Sequence, residues 1–284
     1  GDTPMRTAPT ILALLMGTTP LAAQQAAQSA PIMLDPIVLR AGTERVASTV
    51  PQSVTVVDLD ALEDLSPGSI GDVLAQVPGV ANVGGAGFFG QGFNIRGFGS
   101  SGTAASEAGI VQLIDGERKY YESYRQGSLF VEPDFLKRVE VLRGPGSSTL
   151  YGAGALGGVI AMETIDAGDL IAEGATSGGR VRLGYASNPD TAFGSVARGW
   201  RPTEGFEAVT AFAYRQLGDT KGPDGDTIVR SDSDTPNLLL KARQQLGDHS
   251  IEGSYLHMEA RGDDQDFNQL EGAQAGLFPG FSGW

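Results

Sequence analysis

The sequence predicts an α+β domain over residues 50–170, followed by the start of an antiparallel transmembrane β-barrel over 171–284. Three observations predict it. The first is Val139–Ile160, VEVLRGPGSSTLYGAGALGGVI, with six glycines from Gly144 to Gly158 and β-prone runs on either side. Glycine at that density reaches positive φ and lets backbone pass close to backbone. Such a stretch suits a compact plug whose loops press on what surrounds them. The second is alternation of apolar and polar residues from Gly179 onward, in runs of about ten residues, as a membrane barrel wall requires. The third is an export signal without a spanning helix. Met5-Arg6 precedes the apolar run Ile11–Gly17 and the small-residue site Pro20–Gln25, a secretory signal peptide over 5–23 cleaved near Ala23. No stretch reaches the ~18 consecutive apolar residues of a transmembrane helix.

Residues 24–49 are small and polar, a flexible N-terminus that holds one extended apolar segment, LDPIVLRAG at 34–42. Val50–Val57 reads as a strand. A helix then starts at Ser66-Pro67, with Ile70, Val73, Leu74 and Val77 on a single face, and Pro78-Gly79 stops it. Val80–Val83, Gly92–Arg96 and Gly109–Ile114 are short strands, with a turn at Asp115-Gly116. Between them lie the small-residue loop Gly97–Ala108 and a second loop, Glu117–Leu129. The second carries Arg118, Lys119, Tyr120, Tyr121, Tyr124 and Arg125. Tyrosines and cations at that density suit stacking on a flat ligand and pairing with its carboxylates. A solvated polar hairpin is the alternative. Gly152, Gly154 and Gly157 spell the dinucleotide pattern GxGxxG, but Gly158–Thr164 reads as strand. That fingerprint needs a helix at the glycines, so nucleotide binding is excluded.

Five wall strands are expected near 179–187, 191–200, 205–217, 235–246 and 250–260. Val181, Leu183 and Tyr185 face one way, while Arg180, Arg182 and Gly184 face the other. Connections at Arg201–Glu204 and Gly247–His249 are short, and Gly218–Asp234 is long, as in outer-membrane barrels. Five strands cannot close a barrel, and an open edge is not viable in lipid. The expectation is therefore an N-terminal fragment of a longer protein.

VEVLRGPGSSTLYGAGALGGVI, together with NIRGFG at Asn94–Gly99, resembles the plug domain of TonB-dependent outer-membrane receptors across roughly Leu34–Leu170. RQGSLFVEPDFLKRVEVLRGP (Arg125–Pro145) and VIAMETIDAGDL (Val159–Leu170) are most similar to the haem and haemoglobin receptor branch. The resemblance implies a 22-stranded barrel in the outer membrane of a Gram-negative bacterium. It places the TonB box at 34–42, with Ile37, Val38, Leu39 and Arg40 as the residues that pair with TonB by strand addition. TonB in turn implies its ExbB/ExbD energy-coupling complex. About ten residues separate the cleavage site from the box, too few for an added signalling domain. Arg96 and Arg143 are implied as plug–barrel locks, paired with carboxylates on the wall. The transported ligand is haem, from haemoglobin, or a ferric siderophore.

Composition excludes several other functions. A formal net charge of −14 argues against nucleic acid. The absence of Cys removes disulfides, thiolate metal sites and thiol nucleophiles, and no GxSxG or HExxH motif is present. No enzyme, no catalytic cofactor and no metal site is expected. Asp263, Asp264, Asp266 and Asn268 resemble part of a calcium loop, but Gln269 stands where glycine is required. The two histidines, His249 and His257, lie in the strand region, so the plug offers tyrosines rather than histidine for haem iron. A soluble periplasmic or adhesive β-domain is the expectation from another class.

Overall fold

The computed structural model describes residues 37–38, 45–46, 53–83, 92–99, 109–118, 131–145, 154–221, 224–228 and 232–262. All lie in one compact unit, Asp35–Trp284. One strand pair opens it. β1 (Ile37–Val38) pairs antiparallel with β2 (Arg45–Val46), Ile37 opposite Val46. β3 (Ser53–Val57) then leads into α1 (Leu59–Leu65), capped by the Asp58 carboxylate accepting from Ala61 N at 3.0 Å. The sequence pattern does not predict α1. It is only seven residues long, and Leu62 is its one fully buried side chain.

The predicted helix is α2, Ile70–Ala75, and it starts later than Ser66 because Ser69 is its cap. Ser69 and Asp72 close a capping box, and Ile70, Val73, Leu74 and Val77 are all buried as the periodicity requires. β4 (Val80–Val83), β5 (Gly92–Ile95) and β6 (Phe98–Gly99) form a small sheet. Arg96 leaves β5 at φ +52°, a turn residue rather than the strand end expected.

The main plug sheet is built on β7 (Ile110–Ile114), β8 (Glu117–Arg118), β9 (Leu136–Arg143) and β10 (Gly158–Thr164), in the order β3-β9-β10-β7-β8. β10 runs parallel to β7, and every other pairing is antiparallel. Gly158 has φ +149°, and a Cβ there would lie 2.1 Å from Leu142 O, so only glycine can begin β10. The GxGxxG glycines therefore lead into a strand, as their context predicts. Helices α1 and α2 pack on one face of this sheet, sharing a core with Val139, Val141, Ile160 and Met162.

A second sheet follows as a meander: β11 (Ser177–Ser187), β12 (Asp190–Thr203), β13 (Phe206–Leu217), β16 (Ser233–Leu246) and β17 (His249–Met258). A two-stranded hairpin, β14 (Thr220–Lys221) with β15 (Thr227–Ile228), stands in the long connection. The five strands fall where alternation places them. Their inner face meets the plug, and the outer face carries exposed Val181, Leu183, Phe212, Leu240 and Ile251. Among the described residues no helix is long and apolar enough to cross a membrane.

Candidate functional site

The inner face of the wall presents small residues bordered by cations, set out in rows by strand register. One row is Gly178, Gly199, Val209, Lys241; the next is Arg180, Ala197, Ala211, Leu239; a third is Arg182, Ser195, Ala213, Asn237. Onto this face pack Phe135, Ile165, Ala167 and Ile171 of the plug. A Cβ on Gly178 would lie 2.0 Å from Leu170 O, so glycine there lets the plug's exit turn lie directly on the wall.

Carboxylates of the plug meet the wall cations. Glu132, with no exposed side-chain surface, accepts from Arg215 Nη2 at 3.0 Å, and Arg215 also lies 4.1 Å from the Phe193 ring centroid. Burial pushes the Glu132 carboxyl above the usual range, against the opposing pull of the guanidinium. Asp134 accepts from Arg182 Nη1 at 2.7 Å and from the Ser195 hydroxyl, while Arg180 Nη2 donates to its backbone carbonyl at 2.7 Å. The same arginines reach a second partner each. Arg180 Nη1 meets Glu63 Oε1 at 2.7 Å, and Arg182 Nη2 donates to Ser66 Oγ at 2.8 Å.

At the third point Asp166 pairs with Lys137 of the plug and with Lys241 of the wall, 2.7 Å away. Burial alone would raise the Asp166 carboxyl, but hydrogen bonds from Lys137 and Lys241 hold it below the usual range. Between α2 and the wall lies a cavity of about 780 Å3, whose lining includes Ser66, Asp72, Asp134, Arg182 and Arg215.

The sequence-predicted residues divide sharply. Ile37 and Val38 form β1; Leu39 and Arg40 lie outside the described residues. Arg118 ends β8, and Lys119, Tyr120, Tyr121, Tyr124 and Arg125 lie outside the described residues, as does the acidic loop at 263–269. Arg143 works inside the plug: Nη1 donates to Pro78 O at 2.6 Å, Nη2 to Thr55 Oγ1 at 2.8 Å, and Nε to Ser53 O at 3.4 Å. Arg96 Nη2 reaches Ser53 Oγ at 3.5 Å. Burial and the adjacent Arg96 charge lower the Arg143 pKa.

Neither arginine is ion-paired to a carboxylate among the described residues. The plug–wall pairs that are present have the opposite polarity to the one expected, with carboxylates on the plug and cations on the wall. Alternation alone could have found Arg180, Arg182, Arg215 and Lys241, since each is a cation on the polar face of its strand. Nothing local identifies Glu132, Asp134 or Asp166 as their partners.

Residues 46–159 match the TonB-dependent Receptor Plug Domain family. The chain carries a plug domain of the TonB-dependent receptor type. The "Hemin receptor" of Yersinia enterocolitica is 35% identical over 210 residues, covering 74% of this chain and 29% of that receptor. Among solved structures, the FrpB iron transporter of Neisseria meningitidis aligns at TM-score 0.64 and 23% identity, over 75% of this chain and 33% of that one. The Serratia marcescens hemophore receptor HasR, solved with its hemophore HasA and heme, aligns at TM-score 0.61 and 24% identity, over 75% and 32%. These likenesses establish the fold: a plug domain and the start of a barrel-type wall. The chain spans about 30% of the length of the receptors it matches in sequence. TonB-dependent receptors are outer-membrane proteins of Gram-negative bacteria.

Proposed function

We propose that this chain forms the plug and first wall strands of an outer-membrane receptor that takes up haem, from haemoglobin or another haem carrier, by TonB-driven active transport. One observation carries the reading: the 35% identity with a receptor described as a hemin receptor, over 74% of this chain. The remaining parts follow as one scheme. Residues 5–23 export the chain, and the wall closes as a 22-stranded barrel. Haem binds on the outer side against the loop that carries Arg118, Lys119, Tyr120, Tyr121, Tyr124 and Arg125. Binding exposes Ile37, Val38, Leu39 and Arg40 to TonB, driven by ExbB/ExbD, through main-chain strand addition. Arg96 and Arg143 converge on Ser53 and suit acidic partners on the wall, where they lock the plug.

The test is growth of an iron-starved strain that carries the receptor as its one uptake route. Haem should restore growth and ferric siderophore should not; the reverse result replaces haem with a siderophore. Deleting residues 34–42 should abolish uptake while haem binding persists, and uptake that survives the deletion overturns the TonB step.

A further inference from the structure

Among the described residues, Arg198 is the one wall arginine without a carboxylate partner; every other lies within ion-pair distance of one. Arg198 is exposed on β12, in strand parity with Val196, so it stands on the outer, apolar face of the wall. Its register neighbours there are Gly179 on β11, which adds no side chain, and Thr210 on β13. The guanidinium carbon lies 5.4 Å from the centroid of the Trp200 ring. Trp200 is further along β12 toward Thr203, where a short turn leads to Phe206. Short turns mark the periplasmic rim of an outer-membrane barrel, so Arg198 bends toward that rim and away from the midplane. A charge on the lipid face costs most at the midplane and little at the interface, which a long arginine side chain can reach. A cation in apolar surroundings still requires an anion, and the described protein supplies none here.

We propose that Arg198, stacked on Trp200, holds the phosphate of one phospholipid of the periplasmic leaflet, with the Thr210 hydroxyl beside it. The forked donors of a guanidinium match phosphate oxygens in pairs, and an indole ring sits well at headgroup level. The acyl chains of that lipid lie against Val196, Phe212 and Leu240, which continue the exposed apolar face. Lipopolysaccharide carries the same phosphate chemistry but occupies the opposite leaflet, at the rim where β13 runs into the long connection. The seat backs onto the plug. Ala197 and Gly199, on either side of Arg198 in the strand, face inward to Ala167 and Ile171. A lipid held at Arg198 therefore fixes the height of the strand on which the plug's exit rests. This inference rests on reading the wall as part of a membrane barrel.

Native mass spectrometry of the full-length receptor, in micelles doped with phosphatidylglycerol, counts the lipids that it keeps. Arg198→Gln should weaken retention of one phosphatidylglycerol about five-fold, the worth of one cation beside anionic lipid. Arg201→Gln removes the same charge nearby, but Arg201 already pairs with Glu207, so retention should match the parent. Trp200→Leu keeps the charge and should weaken retention through loss of the stacking surface. Diacylglycerol with the same chains should bind the parent and Arg198→Gln alike. The proposal is overturned if both arginine variants lose lipid equally, if diacylglycerol shows the same difference, or if lipid A displaces phosphatidylglycerol from the seat. Folding into vesicles gives a second readout. Arg198→Leu should strengthen insertion into phosphate-free digalactosyl lipid but not into phosphatidylglycerol; an equal gain in both also overturns it. A receptor that never enters vesicles counts against the barrel reading, whereas one that inserts without Arg198-dependent retention defeats this inference alone.

Discussion

Glu132 sits against Arg215 with no exposed side-chain surface, and such a charge cannot lose its partner cheaply. Glu132→Ala should destabilise the seated plug by about 3–5 kcal/mol, because it leaves a buried guanidinium uncompensated. Urea titration followed by protease cleavage of the plug would measure this. Glu132→Met combined with Arg215→Met should recover most of the loss, since a buried pair replaced by apolar groups of similar size is often neutral. Asp166 makes the pH dependence explicit. Its folded pKa is held below the unfolded one, so its stabilisation is complete above the ordinary carboxylate range. That stabilisation is lost as pH falls through the depressed value. Acid titration of plug stability should therefore show a component that Asp166→Asn removes; an unchanged acid profile would show that Lys137 and Lys241 do not act through this carboxylate.

At the scale of elements, α2 depends on its cap and on one apolar face. Ser69→Ala removes the hydroxyl that accepts from Asp72 N and should cost about 1 kcal/mol. Leu74→Ala, at a fully buried position, should cost about 2–5 kcal/mol; circular dichroism melts would rank the two. This helix was legible because Ile70, Val73, Leu74 and Val77 repeat over two turns. α1 was not, since seven residues with one buried leucine leave no periodicity to read. The wall strands were legible for the same reason as α2, each being long enough for alternation to declare itself. Parallel pairing of β7 with β10 was not, because it joins Ile110 to Gly158 across a long intervening segment. The candidate site splits likewise. Its wall cations stand in the alternation, but Arg215 and Glu132 are 83 residues apart, and only the folded register brings them together.

On the scale of the whole molecule, the outer face of the wall requires lipid. Leu183 is 84% exposed on that face, and Leu183→Arg should weaken folding into bilayers by about 2–4 kcal/mol if it lies near the midplane. Gly184→Ala, a neighbour of opposite parity, should change that equilibrium far less. The inner face leads elsewhere. Among the described residues Arg180, Arg182 and Arg215 pair with carboxylates of the plug, and Lys241 pairs with Asp166 of the plug and with Glu252 of the wall. Deleting the plug would thus leave this stretch of wall with less counter-charge, and like-signed walls concentrate counter-ions. In planar bilayers the reversal potential of the plug-deleted receptor under a salt gradient should move away from chloride when Arg180, Arg182 and Arg215 are changed to Gln; an unmoved potential would show that these cations do not act on ions at the wall. The stopper is, on this view, also the counter-charge of the stretch of wall it is seated against.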